Sequence, residues 1–508
     1  MNNFKLKYET TPFYATLVFF AVLIIFYAVS GTFSLLNDRP QSVHMWAMCD
    51  RGSVARNYAQ DDMNFFKPRV HLTREGEGIT GLEFPFMNYL AALFYKLFGF
   101  NEFWYRFLML LVYTAGLFAC FKISGFFIKN VYLRTFGVLA IAASPVMTYY
   151  SASFIPDTAS FGFAMMAWYC FFTHLKSGSN RSLWGLWLTI TLAVLIKLTS
   201  AIYVIIMLCL LLWSLLRKEF RLSDKALKYP VLFLLLGSAL LLSYAWYEYA
   251  AYLSETYRSN VFLMKSMRPE SIGAVKNVLR HVNEIWVPFY FSKPVYILLG
   301  LVLLFVIWNL RKLDQKLGLI LAGSFLGVFS FVYLMLIQFG NHDYYIITLT
   351  PLLFFLLLTA FEVYEKKFLT RKRQLLVVSV LLALTVQMTW FDRKHQQFRS
   401  NENCWLYDWS RFKDYLAAEN YVVSLGLSRV EKTISIFDDS PNITLYLLNL
   451  KGWSIFHQWD DEPIREALKH YPKYLVISDS LQLRRPVFTE KPPKKIGQFN
   501  SIGFYELR

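Results

Sequence analysis

The chain has 508 residues, 56% of them hydrophobic and 18% aromatic, with 52 Lys and Arg against 35 Asp and Glu. That composition is too apolar for a soluble globular domain, and its stretches of about 18 or more nearly uncharged residues read as transmembrane helices. The net charge of +17 does not point to nucleic acid, because the basic residues stand in short loops between apolar runs, where membrane topology accounts for them.

In chain order, the first apolar run is Pro12–Leu36. It is too long and too aromatic for a cleaved signal peptide, and no small-residue cleavage site follows it, so it reads as a retained span. About eleven spans are expected, at 12–36, 104–127, 135–150, 157–174, 182–197, 199–216, 229–249, 294–310, 317–338, 345–363 and 374–391. The pair 182–197 and 199–216 is joined so tightly that a close hairpin or a broken helix is expected there. Phe84–Phe98 (FPFMNYLAALFYKLF) is apolar but short, and reads as a helix lying at the interface or dipping into it. From about residue 392 the chain turns polar. The runs 433–437, 473–478 and 502–507 are short and β-like and 462–471 has a helical pattern, so a small α/β domain is expected.

The loop charges give an orientation. One set of connections holds Lys129 and Arg134; Lys176 and Arg181; Arg217, Lys218, Arg221, Lys225 and Lys228; Arg311, Lys312 and Lys316; and Lys366, Lys367, Arg371, Lys372 and Arg373. The alternate short connections, Ser151–Pro156, Leu198–Ser200 and Gln338–Tyr344, have no Lys or Arg. Basic loops stay inside. The N-terminus, with Lys5 and Lys7, is therefore expected in the cytoplasm, and the segment after the first span and the C-terminal domain outside. Two domains result: a transmembrane domain over 1–391, whose first outer loop (37–103) carries interfacial helices, and an extracytoplasmic α/β domain over 392–508. The five Cys form no disulfide framework, and Cys49 with Cys404 reads as a chance pair.

Ionisable residues gather at the outward ends: Asp50 and Glu83 in the first outer segment, Asp157 at the mouth of a span, Lys197 alone among apolar residues, and His342, Tyr344 and Tyr345 in QFGNHDYYIITLTP. Such residues are costly at a bilayer and often mark function. Each has an ordinary alternative. Asp50 is a solvated loop residue, Asp157 a helix cap, Lys197 a snorkelling anchor and His342 a turn residue. Their coincidence on one face favours a site.

EFPFMNYLAALFYKLFG (Glu83–Gly99) with Arg106, SPVMTYYSASFIPD (Ser144–Asp157), LAVLIKLTSAIY with Lys197, the HDYYIITLTP turn and Asp50 carry a family likeness in their order and spacing. From the first span to about Trp390 the chain resembles the GT-C superfamily of membrane glycosyltransferases. Within it, the likeness is to the protein O-mannosyltransferase-like branch that includes the lipid A aminoarabinose transferases. Where the aminoarabinose enzymes carry a Lys, this chain has Glu83, which leaves donor and acceptor open. The resemblance implies an all-α polytopic bundle of GT-C type with an outer α/β domain. It implies transfer of a sugar from a polyprenyl-phosphate donor to a hydroxyl acceptor (lipid, glycan or protein) at the outer face, with inversion. Asp50 is then the catalytic base, and Lys197 holds the donor phosphate. His342, Tyr344 and Tyr345 add contacts to the donor, and Glu83 and Asp157 orient the base, Lys197 or a metal ion. No cofactor is required; two or three carboxylates are compatible with a divalent cation, but no spacing demands one. Membrane lipid is the other expected partner, and a bacterial inner membrane the expected location. A flippase or transporter of a lipid-linked sugar and an O-antigen polymerase or ligase stay open as alternatives. The sequon Asn442-Ile443-Thr444 is informative only in a host that glycosylates it.

Overall fold

The computed structural model describes residues 13–217, 229–259, 261–262, 267–368, 370–402, 404–456 and 460–507. Lys5, Lys7, Lys218, Arg221, Lys225 and Lys228, which bear on the orientation, lie outside the described residues. The chain divides into two compact units. One comprises Met1–Leu36, Met109–Trp246 and Lys265–Gln396; the other comprises Asn37–Leu108, Tyr247–Met264 and Gln397–Arg508.

Seven helices among the described residues are long and apolar enough to cross a membrane: Phe13–Ser30, Glu102–Ser124, Leu198–Leu216, Tyr229–Thr256, Gln315–Leu334, Asp343–Phe368 and Arg373–Ser400. The count reaches nine if each of two bent pairs is one span. All eleven expected segments are helical, but they are not eleven uniform spans. The segment 135–150 is two helices, Val131–Ala142 and Pro145–Ser151, meeting at 79°. Pro145 has no N–H to donate back to the preceding turn, so the helix breaks before it. Likewise Ile272–Tyr290 meets Lys293–Trp308 at 102°. The helix Asn180–Ile196 has only 17 residues. It ends at Lys197, whose backbone is extended (φ −147°, ψ 111°), and a 3₁₀ turn over Leu198–Ser200 leads into Ala201–Leu216. The two helices are therefore separated by a break at Lys197.

The first unit is a helical bundle. Asn130 caps Val131–Ala142 by accepting from the Leu133 N–H at 3.1 Å, and Asp314 caps Gln315–Leu334 by accepting from the Lys316 N–H at 2.9 Å. Each satisfies a backbone donor that the first helical turn leaves unpaired. Helices pack closely where side chains vanish. A Cβ on Gly116 would lie 2.4 Å from the Gly162 Cα, so the helices bearing these two glycines meet backbone to backbone. Aromatic residues fill the rest, as in the Phe19–Phe121 stack with centroids 4.6 Å apart and Trp168 edge-on to Phe355.

The second unit is built on a five-stranded mixed sheet, with β1 Lys432–Ile436, β2 Lys451–Ile455, β3 Tyr474–Ile477, β4 Lys494–Phe499 and β5 Ile502–Glu506 in the order β2-β1-β3-β5-β4. β1 lies parallel between β2 and β3, while β5 runs antiparallel to β3 and β4. The helix Ile443–Leu448 makes the β1–β2 crossover and Glu462–Leu468 the β2–β3 crossover. Alternation along β3 feeds two cores. Tyr474 and Val476 join Tyr446 and Phe504, while Leu475 and Ile477 join Ile434, Ile455 and Ile464.

The outer loop 37–103, expected with the transmembrane domain, folds with the C-terminal residues and not with the bundle. Burial is the reason: Met45 and Cys49 of the helix Met45–Gln60 lie in the same apolar core as Ile443, Tyr446 and Val476. The main chain also joins the sheet edge. The Thr73 N–H donates to the Gly452 carbonyl at 3.1 Å, and the Gly452 N–H to the His71 carbonyl at 3.2 Å. Gly452 has φ +148° and its missing Cβ would stand 2.0 Å from the Thr433 carbonyl, so only glycine fits. The helix Phe86–Phe98 has 13 residues, about 20 Å of rise, too short to span. It buries Met87, Ala91, Ala92 and Tyr95 and leaves Leu93, Leu97 and Phe98 exposed. Cys49 and Cys404 are both free and buried.

Candidate functional site

The second unit holds Asp50 on the helix Met45–Gln60. Its side chain is 1% exposed, unlike a solvated loop residue. It accepts a hydrogen bond from Asn442 Nδ2 at 2.8 Å. Burial pushes the Asp50 carboxyl up to about 7; the Asn442 hydrogen bond and the Arg51 charge pull it down, while Asp438 and Glu83 push it up. Asp438 is raised too, to about 6, chiefly by burial, although Thr444 and the Ser440 N–H donate to it. Glu83 does not reach Asp50 by a hydrogen bond. It pairs with Arg51, whose Nε donates to it at 3.0 Å. Arg106 donates to the Asp38 and Arg39 carbonyls at 2.7 and 3.1 Å and so clasps the start of the outer segment.

The first unit brings together Asp157, Lys197, His342, Tyr344 and Tyr345. Asp157 opens the helix Asp157–Ser177, but Pro156 is the cap residue, so the expected capping role falls away. Its carboxylate, 2% exposed in the side chain, pairs with Lys197 Nζ at 3.1 Å. The extended backbone at Lys197 puts this residue outside the helix that precedes it. Its ammonium lies 5.6 Å from the Tyr344 ring centre and 5.3 Å from that of Tyr345, within cation–π range of both. The His342 ring packs on the same two tyrosines at 5.2 and 5.6 Å. Beside them is a cleft lined by Asp157, Ser160, Lys197, Thr199, Tyr203 and Thr348 among others. The wall is rich in hydroxyls. Thr199 Oγ1 stands 3.3 Å from Thr348 Oγ1, and the Tyr203 hydroxyl donates to the Thr348 carbonyl at 3.0 Å. This ammonium, paired with a carboxylate and flanked by hydroxyls and π faces, stands where apolar helices end.

Several partners escape a reading of the sequence. Asn442 is known there only as a sequon, yet it is fully buried, with Nδ2 on Asp50 and Oδ1 accepting the Leu72 N–H at 2.8 Å. Asp343, between His342 and Tyr344, is fully buried and accepts from the Tyr150 hydroxyl at 2.6 Å. Two consecutive polar pairs, HD and YY, are a usable signal for Asp343; nothing local marks Asn442. Among the described residues no three His, Cys, Asp or Glu side chains group as a cation site.

Residues 83–246 match the family model described as dolichyl-phosphate-mannose-protein mannosyltransferase. That stretch holds Glu83, Asp157 and Lys197. Among solved structures, ArnT from Cupriavidus metallidurans in the apo state aligns with a TM-score of 0.60 at 12% identity, over 97% of each chain. The same protein bound to undecaprenyl phosphate aligns with a TM-score of 0.58 at 13% identity, over 98% of each chain. The oligosaccharyltransferase AglB from Archaeoglobus fulgidus, in complex with an inhibitory peptide and a dolichol-phosphate, aligns with a TM-score of 0.51 at 12% identity, over 92% of this chain and 70% of that one. No curated protein matches the sequence. These likenesses establish the fold as the GT-C type that the residues lead one to expect.

Proposed function

We propose that this chain is a membrane glycosyltransferase that moves a sugar from a polyprenyl-phosphate donor to a hydroxyl acceptor at the outer face of the membrane, with inversion. The observation that carries the reading is the Lys197–Asp157 pair, set against Tyr344 and Tyr345 in a hydroxyl-lined cleft. Two relatives in fold have been captured with polyprenyl-type lipid phosphates, undecaprenyl phosphate for ArnT and a dolichol-phosphate for AglB. The family that matches residues 83–246 is described as using a dolichyl-phosphate sugar. All three support a lipid phosphate as the group that Lys197 holds.

The reaction then needs a base and a way to stabilise the leaving group. The acceptor oxygen bonds to the anomeric carbon as the bond from that carbon to the phosphate oxygen breaks. The bonding pair leaves with the polyprenyl phosphate, whose growing charge Lys197 meets. The acceptor proton passes to the Asp50 carboxylate. A carboxyl held near 7 is matched to that task, because it takes a proton readily at neutral pH and releases it afterwards. Glu83 holds Arg51 beside Asp50 and keeps a positive charge there. Asp157 holds Lys197.

The test is turnover in proteoliposomes with a radiolabelled polyprenyl-phosphate sugar and a set of envelope-glycan, lipid and peptide acceptors. Transfer predicts label on an acceptor and free polyprenyl phosphate in equal amount. Label that crosses the bilayer still attached to its lipid would establish a transporter instead.

A further inference from the structure

We infer that Asn442, from the C-terminal α/β segment, is a positioning residue for Asp50. This inference rests on the reading of Asp50 as the base. Asn442 ends the loop after β1 and precedes the helix Ile443–Leu448. That loop is tightly held. Asp438 accepts from the Asp439 N–H at 2.8 Å and from the Thr444 N–H at 2.9 Å, and the Ser454 hydroxyl donates to the Pro441 carbonyl at 2.8 Å. The amide of Asn442 has one orientation that satisfies both neighbours. The Leu72 N–H is only a donor, so it fixes Oδ1, which turns Nδ2 toward the carboxylate.

Close approach makes the contact. Gly52 lies on the helix of Asp50, and a Cβ there would stand 2.8 Å from Tyr446 Cζ. Tyr446 is fully buried in the helix that Asn442 precedes, so its ring has little room to retreat. Glycine at 52 therefore lets the helix bearing Asp50 come against the α/β segment. The other charged and titratable groups facing Asp50 are Arg51 and Cys49 on its own helix, Glu83, and Asp438. Asn442 is the neutral donor among them. It holds one carboxylate oxygen, fixes the rotamer, and favours the charged form of the base.

The consequence is that the α/β segment takes part in the chemistry without contributing a reacting group. Asn442→Asp tests this, because it keeps an oxygen for the Leu72 N–H while it exchanges the donor to Asp50 for a second carboxyl group. The acidic limb of the kcat/KM profile should move up by about one pH unit or more, since a donor is lost and a second carboxylate is placed beside the first. Asn442→Ala should move it the same way by less. A limb that stays in place in a folded, membrane-inserted Asn442→Asp protein overturns the role. If that variant is too slow to profile, the residual rate decides. Adding Asn442→Asp to Asp50→Asn should cost nothing further if Asn442 acts through Asp50, and a further multiplicative loss overturns the role. Full activity in Asp50→Asn itself refutes the base assignment, a separate failure from the one tested at Asn442.

Discussion

Lys197 Nζ stands 3.1 Å from the Asp157 carboxylate, across 40 residues of sequence. A lysine that merely snorkels needs no such partner, and this one is 18% exposed in its side chain where its partner is 2%. The pair holds a cation at the wall of a cleft and keeps it compatible with apolar surroundings.

Lys197→Ala should lower the affinity of the purified protein for a polyprenyl phosphate by roughly 10- to 100-fold, the worth of one charge-assisted hydrogen bond. Lys197→Arg should not restore it, because a planar fork replaces a compact ammonium. His342→Ala should cost less, since that ring packs on the tyrosines and its Nδ1 faces the Gln338 carbonyl at 3.2 Å. Equilibrium binding of a fluorescent polyprenyl phosphate reads all three, and unchanged affinity in Lys197→Ala rules out the phosphate role.

Asp50→Asn should reduce transfer on the order of 10²–10⁴-fold with donor affinity nearly intact. In the wild type, kcat/KM should rise with pH through about 7, because only the carboxylate accepts a proton. Stability runs the other way. Between the ordinary carboxylate value of 3.8 and about 7 the folded protein keeps a proton that the unfolded chain has released. The native state therefore loses stability as pH rises across that window. Asp438, raised to about 6, acts in the same sense. Thermal melts at pH 5 and pH 8 should show a smaller difference for Asp50→Asn than for the wild type; an equal difference contradicts the raised value.

The orientation predicted from the basic loops is open to cysteine labelling, in a background where the five native cysteines are replaced. The structure selects the sites, because Ala55 and Ile155 are buried and would not label from either side. Exposed Glu75 and Tyr471, changed to Cys, should react with an impermeant maleimide from outside, and Ser177 and Arg311 only after the membrane is opened. Labelling of Arg311→Cys in intact cells would reverse the topology.

Glycines in the bundle should respond oppositely to one methyl group. Gly116→Ala drives a Cβ to 2.4 Å from the Gly162 Cα and should destabilise the bundle by about 1–3 kcal/mol. Gly237→Ala meets nothing within 4 Å inside the helix Tyr229–Thr256, and should be neutral or stabilising by up to about 1 kcal/mol. Thermal stability in one detergent compares them, and equal melting temperatures would argue against the close packing at Gly116.

What the sequence determined by itself follows from local physics. Crossing a bilayer is a property of about 20 consecutive residues, so the apolar segments were readable one at a time. The break at Lys197 is also local, whereas 135–150 reads as one run and its bend at Pro145 shows only in the structure. Strands β1, β3 and β5 are compact runs rich in β-branched and aromatic residues and can be seen, whereas β2 (KGWSI) is short with a glycine, and β4 (KKIGQF) reads as a charged edge with a bulge between Lys495 and Gly497. Ionisable residues among apolar ones, Asp157 and Lys197, stood out as candidates because burying them is costly. What tertiary structure alone decided is which polar groups meet. Asn442 reaches Asp50 across 392 residues, Arg51 takes Glu83, and the outer loop shares a core with the C-terminal sheet. A buried hydrogen bond is specified by two groups that must each find a partner, and nothing in the neighbourhood of either one along the chain names the other.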